Sequence, residues 1–402
     1  MEKSDLRVSF VSTYPPRHCG IGTYTLALAR VMDEFFLKRR TQIVAISDKK
    51  YRYSDRVVFG IEQENRRAYH KAAEFLASGP CEVVSIQHEY GIYGGEFGEY
   101  LLDLLERLEK PCVTTLHSVV PVHTSKRKEI TQRILDLSDA IIVMTKGSKE
   151  TLTRIFNVDH AKIRVVHHGV PNVRPDEQEK AKKKLGLEGR FVVSTFGLIN
   201  PGKGIEYALD AIPHVVQEIP NILYLIVGKT HPVIRKRYGE VYRETLEQKM
   251  RDLKLNGHVR FINRYLDYHE LVDYLKATDV YVAPQTDPHQ SASGTLAYAI
   301  GAGAAIISTP TAYAQGVLAN GRGYLVDFLD SVAIAKKLLQ LAKYPELLRK
   351  KRMKTYLYGR RMIWPVVGLE HLKVFEQLAY GKPKRIRIPV RALTKTPELI
   401  PS

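Results

Sequence analysis

The chain has 402 residues, of which 44% are hydrophobic and 26% charged, a composition typical of globular proteins with room for two domains. Its 61 lysines and arginines outnumber its 43 acidic residues, and the net charge of +18 favours an anionic partner: nucleic acid, a phosphorylated ligand or an acidic membrane surface. There is no apolar run long enough for a transmembrane helix, and the three cysteines (Cys19, Cys81 and Cys112) lack metal-type spacing, so a reduced cytoplasmic location is expected.

The first half of the chain alternates short apolar runs with amphipathic segments. This alternation predicts a parallel sheet with helices on both faces, whose buried strands are almost continuously apolar. The predicted strands are 8–13, 42–47, 83–88, 112–117, 140–145 and 163–168, and the predicted helices include 24–38, 65–77 and 99–108.

The loops that follow these strands hold the first candidate site residues, because ligands of such sheets bind beyond the carboxyl ends of the strands. Gly20 and Gly22 precede a helix and would let the backbone approach a ligand closely. His88 and Glu89 open a glycine-rich loop suited to a polyhydroxylated ligand, and His117 ends the next predicted strand. The alternatives are that the loop after His88 is an ordinary surface loop and that His117 only bonds to a backbone group.

A lysine-rich linker at 173–190 precedes a second alternation of the same kind. Its predicted strands are 191–195, 223–227, 259–262, 280–283 and 305–308, and its predicted helices include 206–216, 242–254, 268–277 and 331–342. We therefore predict two doubly wound α/β domains in series, with a cleft between them.

A glycine-rich turn between strand 191–195 and the next helix is the most informative local feature. It contains Gly197 and ends in Gly202-Lys203-Gly204. Backbone amides at a helix start, with one cation, form a site for a phosphate. Taken alone, the turn fits a plain strand–helix connection with a solvated lysine equally well.

A second candidate phosphate site is Ser293-Gly294-Thr295, which leads into an apolar helix. Together with Lys203 it would hold a diphosphate. A helix-capping serine is the alternative interpretation.

Several motifs are absent. The sequence has no Asp-x-Asp pair, no Gly-x-Ser-x-Gly and no His-Glu-x-x-His, and Lys203 is followed by Gly204 where a P-loop needs serine or threonine. These absences exclude a P-loop ATPase and a zinc hydrolase.

As an ordered set, these loops resemble the retaining glycosyltransferases of family 4. The resemblance runs from Tyr14-Pro15-Pro16 through Gly20-Ile21-Gly22-Thr23, the His117 loop, His168-Gly169-Val170 and the Lys203 turn to the segment 364–369. It implies the GT-B fold: two doubly wound Rossmann-like domains that face a central cleft. The implied domains are an acceptor-side domain (1–172, with 360–380 packing back on it), a nucleotide-sugar domain (190–359) and a basic tail (381–402).

The resemblance also implies an activity: retaining transfer of a sugar from a nucleotide sugar to a carbohydrate or lipid-linked acceptor. No metal or other cofactor is expected, because an Asp-x-Asp pair is absent, and no nucleic acid is expected, because the sequence has no RNA- or DNA-binding motif. Lys203 would contact the diphosphate, Gly20 and Gly22 would approach it, and His117 would contact the transferred sugar. His88 and Glu89 would lie on the acceptor side. The departing diphosphate would take the acceptor proton, which agrees with the lack of a nucleophile–base pair.

Three positions depart from the family pattern. Leu198 stands where an arginine is usual, and Gln290 and Tyr298 stand where two glutamates are usual, one facing the sugar and one the ribose. The candidates to replace the missing charged groups are Asp287, Arg235 and Arg237. The alternative is a catalytically silent GT-B protein that binds a sugar phosphate or nucleotide as a regulator.

Basic clusters at 349–361 and 382–391 suggest weak binding to an anionic membrane surface, which would make the protein peripheral. A solvated helix face and tail explain them equally well. A third interpretation is a nucleic-acid or membrane-binding protein on an incidental GT-B scaffold.

Overall fold

A computed structural model describes residues 3–121, 124–381, 388 and 393, with Pro175 described only by its backbone. Contacts divide the chain into two units. Unit 1 comprises the residues up to Gly169 together with the C-terminal helix that begins at Trp364, and unit 2 runs from Val170 to Ile363. No helix in these described ranges is both long enough and apolar enough to cross a bilayer.

Unit 1 is built on a parallel sheet that holds seven of the described strands, in the order β3-β2-β1-β4-β5-β6-β7. The strands are β1 (Val8–Ser12), β2 (Gln42–Ser47), β3 (Val57–Glu62), β4 (Val83–His88), β5 (Cys112–Leu116), β6 (Ala140–Val143) and β7 (Ile163–Val165). Because the chain leaves β1 toward β2 on one side and returns to β4 on the other, the strand order reverses between β1 and β4.

The six predicted strands of unit 1 are confirmed, with ends up to three residues earlier than expected. Strand β3 was not predicted. It lies at the sheet edge, its residues are half-buried or exposed apart from Ile61, and Gly60 interrupts its apolar run, so the pattern of a covered strand is missing.

Helices cover the sheet of unit 1. They are α1 (Gly20–Val31), α2 (Arg66–Ser78), α3 (Tyr100–Leu105), α4 (Ser125–Leu137) and α5 (Lys146–Ile155), with a π-helical turn at Met32–Phe36. The final helix (Trp364–Tyr380) contacts α1, the π-helical turn and β4, and it buries Trp364 and Phe375 completely. The segment from Trp364 onward is therefore part of the hydrophobic core of unit 1.

Unit 2 repeats the architecture with six of the described strands, all parallel, in the order β10-β9-β8-β11-β12-β13. They are β8 (Phe191–Phe196), β9 (Ile222–Val227), β10 (Val259–Ile262), β11 (Val280–Ala283), β12 (Ala305–Ser308) and β13 (Tyr324–Leu325). The order reverses between β8 and β11. The five predicted strands are confirmed, and only the two-residue β13 was missed.

The helices of unit 2 are α6 (Gln178–Leu185), α7 (Ile205–Val216), α8 (Pro232–Tyr238), α9 (Val241–Asp252), α10 (Tyr268–Ala277), α11 (Gly294–Gly301), α12 (Ala312–Leu318), α13 (Ser331–Lys343) and α14 (Pro345–Gly359), and the helix at Trp364–Tyr380 is α15. The four predicted helices of unit 2 are confirmed as α7, α9, α10 and α13, with ends within two residues of the predicted positions, and the structure adds further helices. Side-chain caps such as Asp267, Thr311 and Asp330 accept bonds from the first-turn amides and fix where α10, α12 and α13 begin.

Candidate functional site

The glycine-rich turn and the Ser293 segment, two candidate phosphate sites that were expected to act together, meet at the carboxyl edge of the unit 2 sheet. The Lys203 amino group donates a hydrogen bond to Thr295 Oγ1 at 3.3 Å, and Thr295 Oγ1 lies 3.3 Å from Ser293 Oγ. A Cβ on Gly197 would lie 2.8 Å from Thr295 Cγ2 and 3.5 Å from Lys203 Nζ. The structure thus brings Gly197, Lys203 and Ser293–Thr295 into one group, which we call the cradle.

Local chemistry explains how the cradle is held open. Gly197 and Gly204 have φ values of 124° and 60°, which favour glycine, and a Cβ on Gly204 would overlap the carbonyl oxygen of Pro284. Thr286 N–H donates to the Gly202 carbonyl at 3.1 Å, so the loop after β11 packs directly on the turn after β8. These two strands are the ones between which the strand order reverses, where ligands of such sheets bind.

The electrostatics of the cradle suit an anion. Lys203 is half-buried, and desolvation lowers the pKa of its amino group to about 8. Ser293 caps α11 by accepting from Leu296 N–H at 3.3 Å, so the capping interpretation is correct as well. The cap leaves the amino end of α11 directed at the cradle, where its dipole favours negative charge.

His231 is a further member of this region that was not predicted. It follows β9, the neighbour of β8, and its backbone N–H donates to the Ile199 carbonyl at 2.8 Å. Its Nδ1 accepts from Val233 N–H at 3.2 Å, which places the proton of the neutral ring on Nε2. Burial, and after it the charge of Lys203, lowers the pKa of His231. Its position at the same sheet edge was the signal that could have revealed it.

Arg235, a candidate for a compensating cation, and the nearby Arg243 have different environments. Arg235 is exposed and lies 3.1 Å from Glu240, so it is committed to a surface ion pair. Arg243 is 2% exposed, donates to the Gly228 carbonyl at 2.6 Å, and has a buried Nη1 without a partner in the described chain. Arg243 therefore supports the turn at Gly228. This turn packs directly on Gly197, because a Cβ on Gly228 would overlap the Gly197 carbonyl oxygen.

The two positions at which glutamates are usual lie in and just before α11. Gln290 has a buried Oε1 without a hydrogen-bond partner among the described residues, and so has Gln285, which is 4% exposed. Tyr298 is 8% exposed within α11. Asp287 is exposed and accepts from His289 N–H at 2.9 Å. The region thus offers neutral amide oxygens in place of carboxylates.

In unit 1, the predicted residues lie at the carboxyl edge around β1, β4 and β5. Helix α1 begins at Gly20 rather than after Gly22, because Gly22 packs in its first turn: a Cβ there would lie 3.3 Å from Tyr14 Cα and N. A Cβ on Gly20 would meet nothing within 4 Å, so Gly20 is the more open of the two.

The His88 loop is not the exposed loop that one interpretation expected. His88 is fully buried, and its ring lies against Tyr90 and Tyr93 at centroid distances of 4.9 and 6.1 Å. Neither ring nitrogen has a partner in the described chain, and burial lowers the His88 pKa to about 4. Glu89 accepts from Ser118 Oγ at 2.5 Å, and burial raises the pKa of its carboxyl group.

His117 belongs to an aromatic cluster around Tyr24 that was not predicted. The Tyr24 ring makes edge contacts with His117, His168 and Trp364 at centroid distances of 4.8, 5.2 and 5.2 Å, and its hydroxyl donates to His371 Nε2 at 3.4 Å. His117 Nε2 donates to Gln87 Oε1 at 2.9 Å. Burial lowers the pKa of His117, His168 and His371, so this cluster is neutral near pH 7.

Within residues 3–121 and 124–381, and at 388 and 393, no group of three or more His, Cys, Asp or Glu side chains has a geometry that could hold a metal ion. The basic segment 382–391 falls outside the described residues, apart from Ile388.

Two family models match the chain in succession. The model of Glycosyltransferase Family 4 matches residues 20–174, and the model of Glycosyl transferases group 1 matches residues 177–362. Among curated proteins, the chain is 28% identical over 197 residues to a phosphatidyl-myo-inositol mannosyltransferase of Mycobacterium tuberculosis, covering 48% of each chain. It is 25% identical over 263 residues to a D-inositol 3-phosphate glycosyltransferase of Streptomyces avermitilis, covering 63% of this chain and 55% of that one.

The matched segment therefore spans about half the length of these curated relatives. Among solved structures, Anabaena Alr3699/HepE in complex with UDP and glucose is similar to this chain with a TM-score of 0.72 and 13% identity, over 93% of this chain and 100% of that one. That likeness shows the fold, and the two family models cover the sequence from the first helix to the end of unit 2. The chain belongs to the family 4 glycosyltransferases and has the GT-B fold.

Proposed function

We propose that the protein is a retaining glycosyltransferase that moves a sugar from a nucleotide-sugar donor to a carbohydrate or lipid-linked acceptor. The observation that carries the proposal is the cradle: the amino group of Lys203 lies against Thr295 at the amino end of α11, beside a glycine that leaves the space open. A cation and free helix amides at a strand-order reversal are suited to a diphosphate.

The relatives support the donor class. The mycobacterial relative is a mannosyltransferase by name, and the Anabaena protein was crystallised with UDP and glucose. A nucleoside diphosphate sugar carries its two phosphates between the base and the sugar. The cradle in unit 2 would therefore hold the centre of the donor.

The proposed transfer balances without a nucleophile from the protein. The acceptor hydroxyl oxygen forms a bond to the anomeric carbon on the face from which the bond to the β-phosphate oxygen breaks. The nucleoside diphosphate leaves with the electron pair and takes the acceptor proton. The protein then contributes positioning and stabilisation of the charge that develops on the leaving group.

Lys203 and the α11 amides would stabilise that charge, and we propose that no metal ion takes part. His231 would supply the second side-chain donor that Leu198 cannot supply. Its Nε2–H is left available by the bond at Nδ1, and it interacts electrostatically with Lys203. A bound diphosphate would accept hydrogen bonds from this Nε2–H and from the Lys203 ammonium group together.

Gln290 and Gln285 would accept hydrogen bonds from hydroxyl groups of the donor, because each has a buried amide oxygen without a partner in the described chain. A neutral amide oxygen accepts such a bond without charge assistance, so each contact is weaker than one to a carboxylate. In unit 1, we assign the acceptor side to Glu89 and His88 and contact with the transferred sugar to His117.

A second candidate function is a non-catalytic protein that binds a nucleotide or sugar phosphate. The uncharged pair Gln290 and Tyr298 favours it, because both carboxylates that the family usually places near donor sugar and ribose are absent. Binding and turnover separate the two functions.

The test is calorimetric titration with UDP, GDP and ADP and with their glucose and mannose derivatives, followed by an assay of nucleoside diphosphate release. Binding with release, and an α-linked product from an α-linked donor, supports the retaining transferase. Tight binding without release in the presence of a broad acceptor panel supports the binding protein. Absence of binding by every one of these nucleotides contradicts the transferase, and absence of binding by glucose 1-phosphate and mannose 1-phosphate as well contradicts the binding protein.

A further inference from the structure

An open pocket on the surface of unit 2 lies apart from the cradle, between α14 and the loop that joins α12 to β13. Three of its six lining residues are cationic and none is acidic. The lining residues are Asn320, Arg322, Lys354, Leu357, Tyr358 and Arg361. We call this the basic pocket.

The cations of the basic pocket have no carboxylate partner. Within the described part of the chain, no carboxylate oxygen lies within 4.0 Å of Arg322, Lys354 or Arg361. Arg322 is instead fixed by backbone groups, donating to the carbonyls of Val317 at 2.6 Å and Gly316 at 3.1 Å, and its guanidinium lies 4.1 Å from the centroid of the Tyr358 ring. The pocket therefore holds its charge in place without neutralising it.

Further cations surround the pocket and repel one another. Lys351 donates to the Gly321 carbonyl at 3.1 Å and lies over the Tyr324 ring. Burial and the charges of Lys354, Lys337 and Lys350 lower its pKa, and burial and Arg361 lower that of Arg322. Like charges held together cost folding free energy, which a bound anion would offset.

Exposed apolar side chains accompany these cations. Met353 and Leu357 are 46% and 60% exposed and stand one helical turn apart on α14, so they share a face. Lys350 and Lys354 precede Leu357 by seven and three residues on α14, so they lie on the same side of the helix as Leu357. Exposed apolar side chains next to basic ones suit a membrane interface, where apolar groups enter the acyl boundary and basic groups stay among the headgroups.

We propose that the basic pocket and the adjoining face of α14 bind the phosphate-bearing headgroups of an anionic lipid surface. A soluble phosphate would pair with the cations but would leave Met353 and Leu357 in water. A lipid surface takes up both, because the headgroups meet the cations and the apolar side chains enter the acyl boundary. The inference is independent of the proposed sugar transfer, since none of these residues belongs to the cradle.

The test is flotation of the full chain with phosphatidylcholine vesicles, with and without phosphatidylglycerol. The variant Lys354→Glu/Arg361→Glu reverses two pocket charges. The control Lys180→Glu/Lys183→Glu changes the net charge equally on α6, where both lysines are exposed. We expect the pocket variant to lose at least about tenfold in partition to anionic vesicles, and the control to lose far less.

A third variant, Met353→Ser/Leu357→Ser, should weaken binding to anionic vesicles at unchanged charge. Equal loss in the pocket and control variants would overturn the proposal, because it would indicate a general charge effect. Saturable binding of inorganic phosphate by the parent chain, without partition of that chain to anionic vesicles, would assign the pocket to a free phosphate and would also overturn the proposal. Thermal unfolding of each variant identifies misfolding, and a misfolded charge reversal is replaced by Lys354→Ala/Arg361→Ala.

Discussion

The Lys203 amino group donates to the Thr295 hydroxyl at 3.3 Å across 92 residues of sequence. This bond joins the two segments that the sequence indicated as phosphate sites. Because both follow strands next to the point where the strand order reverses, a single diphosphate would contact both. The bond also occupies the ammonium group only partly, since an ammonium has three donors.

Replacing Lys203 with alanine should weaken nucleoside diphosphate binding by about 1.5–3 kcal/mol, the usual loss for a hydrogen bond to a charged group. Calorimetric titration measures the change. Lys71→Ala, an exposed lysine on α2 in unit 1, is the matched control and should bind as the parent does. Parent-like binding by Lys203→Ala would remove Lys203 from the site.

The affinity for a nucleoside diphosphate should also depend on pH. Desolvation lowers the pKa of Lys203 from 10.5 to about 8, so in the empty protein this group loses its proton above pH 8. A bound diphosphate favours the charged form and raises that pKa, so binding takes up a proton. We expect affinity to fall by up to about tenfold per pH unit above pH 8, before the bound form titrates.

Titrations in buffers of different ionisation enthalpy would measure this proton uptake. The uptake should disappear in Lys203→Ala. If it persists undiminished in that variant, another group is responsible.

Gly197 is predicted to be essential for a steric reason. A Cβ at this position would lie 2.8 Å from Thr295 Cγ2, and its φ of 124° disfavours other residues. Gly197→Ala should therefore reduce donor binding. Adding Thr295→Ser removes the clashing methyl group but keeps the hydroxyl that Lys203 contacts, and should restore part of the binding. No gain from the second change would show that backbone strain alone causes the loss.

The buried histidines predict an acid-sensitive fold. His88, His168 and His371 have pKa values lowered from 6.5 to about 4 by burial. Between these values the unfolded chain binds more protons than the folded one, so stability falls as pH falls from 6.5 toward 4. Each histidine contributes a slope of about 1.4 kcal/mol per pH unit inside that window.

Denaturant unfolding at a series of pH values measures the slope. His88→Leu should reduce it, because His88 is fully buried and lacks a partner in the described chain. His160→Gln, a change at an exposed histidine, is the control. An unchanged slope in His88→Leu would mean that His88 is already protonated in the folded protein.

Restoring the two glutamates tests the alignment of α11. Gln290→Glu with Tyr298→Glu should tighten nucleoside diphosphate binding if these positions face the sugar and the ribose. Tyr298 is 8% exposed, so the new carboxylate also risks an unpaired buried charge, and folding is measured first. A folded double variant with unchanged or weaker affinity would contradict the alignment.

Much of the fold and of the cradle could be predicted from the sequence, because both depend on local patterns. Covered strands are apolar throughout, and a glycine turn followed by a helix is visible within ten residues. Strand β3 was not predicted, because it is a half-exposed edge strand without the apolar pattern of a covered strand. The cluster around Tyr24 was not predicted, because His371 and Trp364 are more than 300 residues away from Tyr24 in sequence. Local sequence periodicity does not indicate contacts between such distant residues.

The cluster around Tyr24 has a consequence for the order in which the protein forms during synthesis. A Cβ on Gly169 would overlap the ring of Trp364, and Tyr24 packs on that ring, so the core of unit 1 includes residues from both ends of the described chain. Unit 2 is one continuous stretch that ends at Ile363, just before Trp364. On the ribosome, unit 2 therefore has its whole sequence available before unit 1 does. The unit that is translated first is the last to be completed, and until then its central tyrosine lacks two of its four aromatic neighbours.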